Sequence, residues 1–149
     1  MFKTKATKQG ELQEKWFLVD AKGQRLGLIA SKVAEILLAK DQPIMRDNLM
    51  PQNKVVVINA GEIDFSARKG DMKVYTRYSG YPGGLTRETL KEVITKHPVR
   101  PVEKSIKGML PRGKRGNHIF ANNLYVYAGA DHKHEAQQPT LVDLKNIKF

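Results

Sequence analysis

"VVVIN", residues 55–59, is the stretch on which the fold turns. It is β-branched and apolar at every position up to Ile58. A strand with one face in water alternates apolar and polar residues, and this one does not. An unbroken apolar run is what a strand buried on both faces requires, and such strands belong mostly to parallel sheets under helices. Upstream, "WFLV" (16–19) is a second short apolar run, followed by the turn "DAKGQ" with its permissive Gly23. Leu26, Ile29, Ala30, Val33, Ile36 and Leu37 then recur at helical spacing. That helix ends near Lys40, because Pro43 cannot continue it. Downstream, "LYVYAG" (124–129) reads as another short strand. Strands alternating with helices predict an α/β domain with a small, mainly parallel sheet.

The remaining segments are placed around this frame. Residues 41–54 form a connection with two prolines, and 61–71 are turn-rich. "MKVYTRYS" (72–79) mixes β-formers with cations, and "GYPGG" (80–84) is loop. Thr86 is a candidate cap for a second helix carrying Leu90, Val93 and Ile94, with His97 at its end. A third helix is expected from about Pro101 to Leu110, where Val102, Ile106, Met109 and Leu110 share a face. Residues 1–14 read as a flexible arm, 15–142 as one domain, and 143–149 as a polar tail.

Charge gives the first functional indication. The 149 residues carry 26 Lys plus Arg against 15 Asp plus Glu, a net charge of +11. Residues 66–115 hold thirteen of those cations and four of the acids, so this block supplies 13 − 4 = +9. A surplus sustained over fifty residues indicates a polyanionic partner, nucleic acid before an acidic membrane surface. The absence of cysteine excludes a disulfide framework and a Cys-ligated zinc site. The start has no apolar stretch of signal-peptide length and no run approaches a membrane span, so the expectation is a soluble intracellular protein.

Within the basic block, "GMLPRGKR" (108–115) nearly spells a phosphate-binding P-loop. Gly108, Gly113 and Lys114 match, but Arg115 stands where a magnesium-binding hydroxyl is needed. A working P-loop leaves a strand and opens a helix. This one follows an expected helix, and "GNHIFANN" is a poor helix start. The same residues suit an RNA contact: glycines allow close backbone approach, and Arg112, Lys114 and Arg115 supply cations, with Met109 and Leu110 expected to anchor the loop in the core. Arg68, Lys69, Lys73 and Arg77 interleave with Tyr75, Tyr78 and Tyr81, and rings beside cations can stack on exposed bases. At least one of these tyrosines is expected in the core. His132 and His134, flanked by Asp131 and Glu135, lack the further convergent ligands of a metal site, so polar contacts to RNA or a neighbouring protein are expected instead. Lys133 and His118 join the expected RNA-binding set. No nucleophile–base or paired-carboxylate arrangement is visible, so neither catalysis nor a cofactor is expected.

These motifs carry a family resemblance. "KGMLPRGKRG" (107–116) followed by "LYVYAGADHKHEAQQP" (124–139) resembles the signature of the bacterial large-subunit ribosomal protein L-thirteen family. "KWFLVDAKGQRLGLIASKVAEILLAK" (15–40), "VVVINAGEI" (55–63) and "YSGYPGGL" (78–85) resemble it in the same order. The resemblance implies a three-layer α/β/α domain around a four-stranded parallel sheet. It implies binding of large-subunit ribosomal RNA early in assembly, contacts with neighbouring ribosomal proteins, a cytoplasmic location in the large subunit, and no membrane or small-molecule partner. It adds Lys107 to the basic loop and maps the family's His-x-His tail onto His132 and His134. The alternatives are a small nucleotide-binding α/β enzyme, resting on the P-loop near-match, and a regulator that binds messenger RNA.

Overall fold

The structure is a computed structural model and describes residues 6–142 and 144. Four strands form one sheet: β1 (Trp16–Asp20), β2 (Lys54–Ile58), β5 (Leu124–Val126) and β6 (Thr140–Leu141), in the order β5-β2-β1-β6. All pairings are parallel, with Phe17 beside Val55, Val55 beside Leu124, and Phe17 beside Thr140. The unbroken apolar run therefore lies in a central strand, and Val55, Val56 and Val57 are fully buried. The expected α/β class and parallel four-stranded sheet are what the chain adopts.

Alternation along the strands separates two faces. Val19, Val55, Val57 and Leu124 share one cluster with α1 (Leu26–Leu37), α4 (Arg100–Met109) and α5 (Lys114–Asn123). Ile29, Val33 and Leu37 come from α1, Val102 and Ile106 from α4, and Ile119 from α5. Trp16, Lys54, Val56 and Tyr125 point the other way. On that side the Trp16 and Tyr125 rings stack at 5.7 Å, and His134 lies 4.3 Å from Tyr125.

A smaller unit stands beside the sheet. It comprises α2 (Ala67–Met72), the antiparallel hairpin β3 (Val74–Tyr78) and β4 (Leu85–Thr89), and α3 (Leu90–Lys96). Thr89 caps α3 in a capping box with Glu92, so Thr86 is not the cap but a strand residue. The segment read as turn-rich contains α2, and β6, just ahead of the expected tail, forms one edge of the sheet.

The third expected helix, α4, is present with Pro101 in its first turn. The next helix, α5, corrects the reading of "GNHIFANN" as a poor helix start. Glycine and asparagine do weaken a helix, but burial of Ile119 and docking of Asn123 override propensity here.

Two buried polar residues tie the 41–54 connection down. Asn53 donates to the Ile36 carbonyl at 2.9 Å and to Asp41 at 3.0 Å. Asn123 donates to the carbonyls of Pro51 and Asn53. The stretch expected as a flexible arm is held at three points among its described residues, one of them Glu14, which accepts hydrogen bonds from Trp16 and Lys54. Leu12 is buried, and Gln9 exchanges two hydrogen bonds with the Met50 backbone. Of the expected tail 143–149, only Leu144 lies within the described residues, and it is buried.

Candidate nucleic-acid interface

The hairpin presents two unlike faces. Val74, Thr76 and Tyr78 pair with Thr89, Arg87 and Leu85 on one face, which is largely open to solvent. Val74, Tyr78 and Leu85 are all exposed, Tyr78 by 63%. Tyr81, beside the positive-φ Gly80 in the connecting loop, is 76% exposed. Gly80 and Gly83, at φ 90° and 73°, form that loop because L side chains rarely adopt such angles. Arg77 lies on the opposite face with Tyr75 and Glu88. There it lines a hollow of about 350 Å³ with His97 and Arg100. A hydrogen bond from Lys96, 2.9 Å away, holds the Glu88 carboxyl below the usual carboxylate range.

Tyr75 is half-buried and Tyr78 and Tyr81 are exposed, so none of the three is the core residue expected among them. The Tyr75 ring is already covered by Lys73 at 5.3 Å and Lys104 at 4.8 Å. Its hydroxyl is buried without a hydrogen-bond partner. Tyr78, not Tyr75, is the strand tyrosine whose ring is open to solvent. Arg68 is exposed on α2 and donates to the Met72 sulfur, while Lys69 borders a large cleft together with Lys73.

The second cationic group sits at the corner between α4 and α5. Leu110 is buried, as expected of a loop anchor, but Met109 is 46% exposed and is not a core residue. Arg112 and Lys114 are exposed. Arg115 is less free than the sequence suggests. It is half-buried, lies 3.5 Å from Asp47, and has a buried Nε without a partner. Gly113, at φ 108°, opens α5, and a Cβ at Gly116 would collide with the Pro111 carbonyl oxygen. The near-match to a P-loop is therefore a tight corner between two helices. It does open a helix, contrary to expectation, but it leaves α4 instead of a strand. Lys107 lies over the Phe120 ring at 5.3 Å, and His118 is exposed on α5.

The His-x-His segment is used differently. His134 packs on Trp16 and Tyr125, and its backbone N–H donates to His132 Nδ1 at 3.2 Å. Burial, with His132 and Lys54 nearby, pushes the His134 imidazole below its ordinary value. Both histidines thus belong to a ring cluster on the sheet, with His132 near Tyr127, and only Lys133 between them is fully exposed. Among the described residues no group of His, Cys, Asp or Glu could hold a metal ion, and no helix is long and apolar enough to cross a membrane.

The fold also gathers cations that the sequence reading did not single out. Arg25, at the start of α1, and Lys104, on α4, share the cleft with Lys69 and Lys73. The signal for Lys104 lay in the polar stripe of α4 opposite Val102 and Ile106. Arg25 had none, because only the tertiary fold brings it near residue 69.

The family described as Ribosomal protein L13 matches residues 14–133. A large ribosomal subunit protein uL13 of Spiroplasma citri is 45% identical over 136 residues, covering 91% of this chain and 92% of that protein. The uL13 of Thermus thermophilus is 43% identical over 134 residues, covering 90% and 95%. The uL13 of Listeria welshimeri is 42% identical over 142 residues, covering 95% and 97%.

Proposed function

Because the chain belongs to the ribosomal protein L13 family, we propose that its basic surface binds large-subunit ribosomal RNA and helps the subunit assemble. Membership makes it a structural protein of the large ribosomal subunit, acting in the cytoplasm, and not an enzyme. The finer reading concerns how it is held there. Residues 15–142 act as the RNA-binding domain, and neighbouring ribosomal proteins complete its surroundings.

One observation carries the reading. The cations of residues 66–115 stand mostly exposed on the hairpin, on α2, α3 and α4, and at the α4–α5 corner, in excess of the acids beside them. Folding does not require such a concentration of like charge, and phosphate neutralisation relieves it. Phosphate contacts would come from Arg68, Lys69, Lys73, Arg77, Lys107, Arg112, Lys114 and Arg115, and stacking from Tyr78 and Tyr81. His118 and Lys133 extend the surface; His132 and His134 shape it by packing.

The test replaces Arg112, Lys114 and Arg115 together by alanine. Affinity for large-subunit ribosomal RNA should fall at least about tenfold as three phosphate contacts are lost. The melting temperature should fall only modestly, since Arg112 and Lys114 are exposed and such substitutions cost within about 0.5 kcal/mol each, with the half-buried Arg115 contributing most of any loss. Wild-type affinity in the triple variant would remove this corner from the interface.

A further inference from the structure

Between the start of α1 and the C-terminal half of α4 lies a cleft of about 970 Å³. That is at the upper end of the roughly 300–1,000 Å³ typical of small-ligand sites. Its wall is apolar, formed by Leu26, Phe65, Leu90 and Met109. Around the wall stand Arg25, Lys69, Lys73 and Lys104, against one lining carboxylate, Asp64. Among the described residues none of these four cations takes part in a salt bridge. Two of them, Lys73 and Lys104, converge on the single ring of Tyr75. Both ammonium groups border the cleft without a paired counter-charge among the described residues, and an anion bound there would lower the energy of each. The N-terminus of α1 adds partial positive charge of its own.

We propose that this cleft takes one unpaired nucleotide of the bound ribosomal RNA. Its backbone phosphate would lie against the lysines and its base against the apolar wall. The inference rests on the RNA-binding reading above. A free phosphate has no use for an apolar wall, and a duplex keeps its bases paired and stacked away from one; a base splayed out of its stack, with its phosphate, meets both requirements. Asp64 accepts hydrogen bonds only, which suits a sugar hydroxyl or a base amino group on the nucleotide. Continuity along the chain favours RNA over a free nucleotide. Gly108 and Met109 line the cleft, and the chain runs from them straight into Arg112 and Lys114. A strand held at that corner is thereby delivered to the cleft.

Gly108 supplies the test, since a side chain added there meets open space on the cleft side of α4. Gly108→Trp should plug the cleft and weaken binding to transcribed large-subunit ribosomal RNA about tenfold, the scale of one lost base stack. Its melting temperature should stay near that of the wild type. Gly129→Trp, at an equally open glycine outside the cleft, should bind as the wild type does. Unchanged affinity in a folded Gly108→Trp would overturn the proposal. Ultraviolet crosslinking of the wild-type complex decides independently of any variant. Nucleotide adducts are expected on peptides spanning residues 65–75 or 104–109. Adducts confined to 76–89 and 110–118 would overturn the cleft and leave RNA binding standing. Failure of the wild type to retain the RNA at all would overturn the functional reading, and the cleft with it. Saturable micromolar binding of free 5′-mononucleotides that RNA does not compete away would make this a small-molecule site instead.

Discussion

The central strands β1 and β2 and the hairpin strands β3 and β4 are all five residues long, yet they obey opposite rules. In β2 the three valines are fully buried, paired with Phe17, Leu18 and Val19 on one side and Leu124, Tyr125 and Val126 on the other. In the hairpin, Val74, Tyr78 and Leu85 lie exposed on one face with Arg87. A two-stranded ribbon is marginal on its own, and this one leans on α2 and α3 for support. The sheet's residues are explained by the stability they contribute. The hairpin's exposed rings and cations are not, and that excess is what points to a partner.

The sharpest way to break this contrast is to treat both regions alike. Val57→Asp puts an unpaired carboxylate at the centre of β2. It should cost several kcal/mol, a large share of the roughly 5–15 kcal/mol that holds a domain together, and leave no cooperative melt. A soluble variant with a normal thermal transition would deny β2 its central place. Asn53→Ala should have the next largest effect. It removes a fully buried amide that bonds Ile36, Asp41 and Gln42, and about 2–3 kcal/mol should be lost in denaturant titration. Replacing the opposed pair Tyr78 and Leu85 by serine should lower stability least, by about 1 kcal/mol or less. The same change should reduce RNA affinity about tenfold, because an exposed ring is lost as a stacking platform. If stability collapsed and affinity held, the hairpin would be a structural element like the sheet.

The same contrast explains what could be read from the sequence. The β2 run and the α1 stripe were legible because burial imposes a period, and Ile29, Val33 and Leu37 display it. Helix α5 was not, because its stability comes from Ile119 and Asn123 meeting residues far along the chain. β4 was hidden for a similar reason: its polar sequence, LTRET, pairs with β3 but buries little. Edge strand β6 has two residues and no pattern to find. For the site, composition located the basic block but not its geometry. Lys69 and Lys73 were visible as a cationic run, whereas Arg25 and Lys104 reach the same cleft only through packing of α1 on α4. The aromatic role of His134 was equally invisible, since Trp16 and Tyr125 lie distant in sequence.

The salt dependence of binding tests the central claim most directly, that the exposed cations hold RNA phosphates. Affinity for large-subunit ribosomal RNA would be titrated across a salt series, and its logarithm plotted against the logarithm of salt concentration. With about five to eight phosphates engaged, at roughly 0.7 to 0.9 per phosphate, the slope should be about −4 to −7. A slope shallower than about −2 would contradict the account, because so few released counterions cannot come from a surface of this charge.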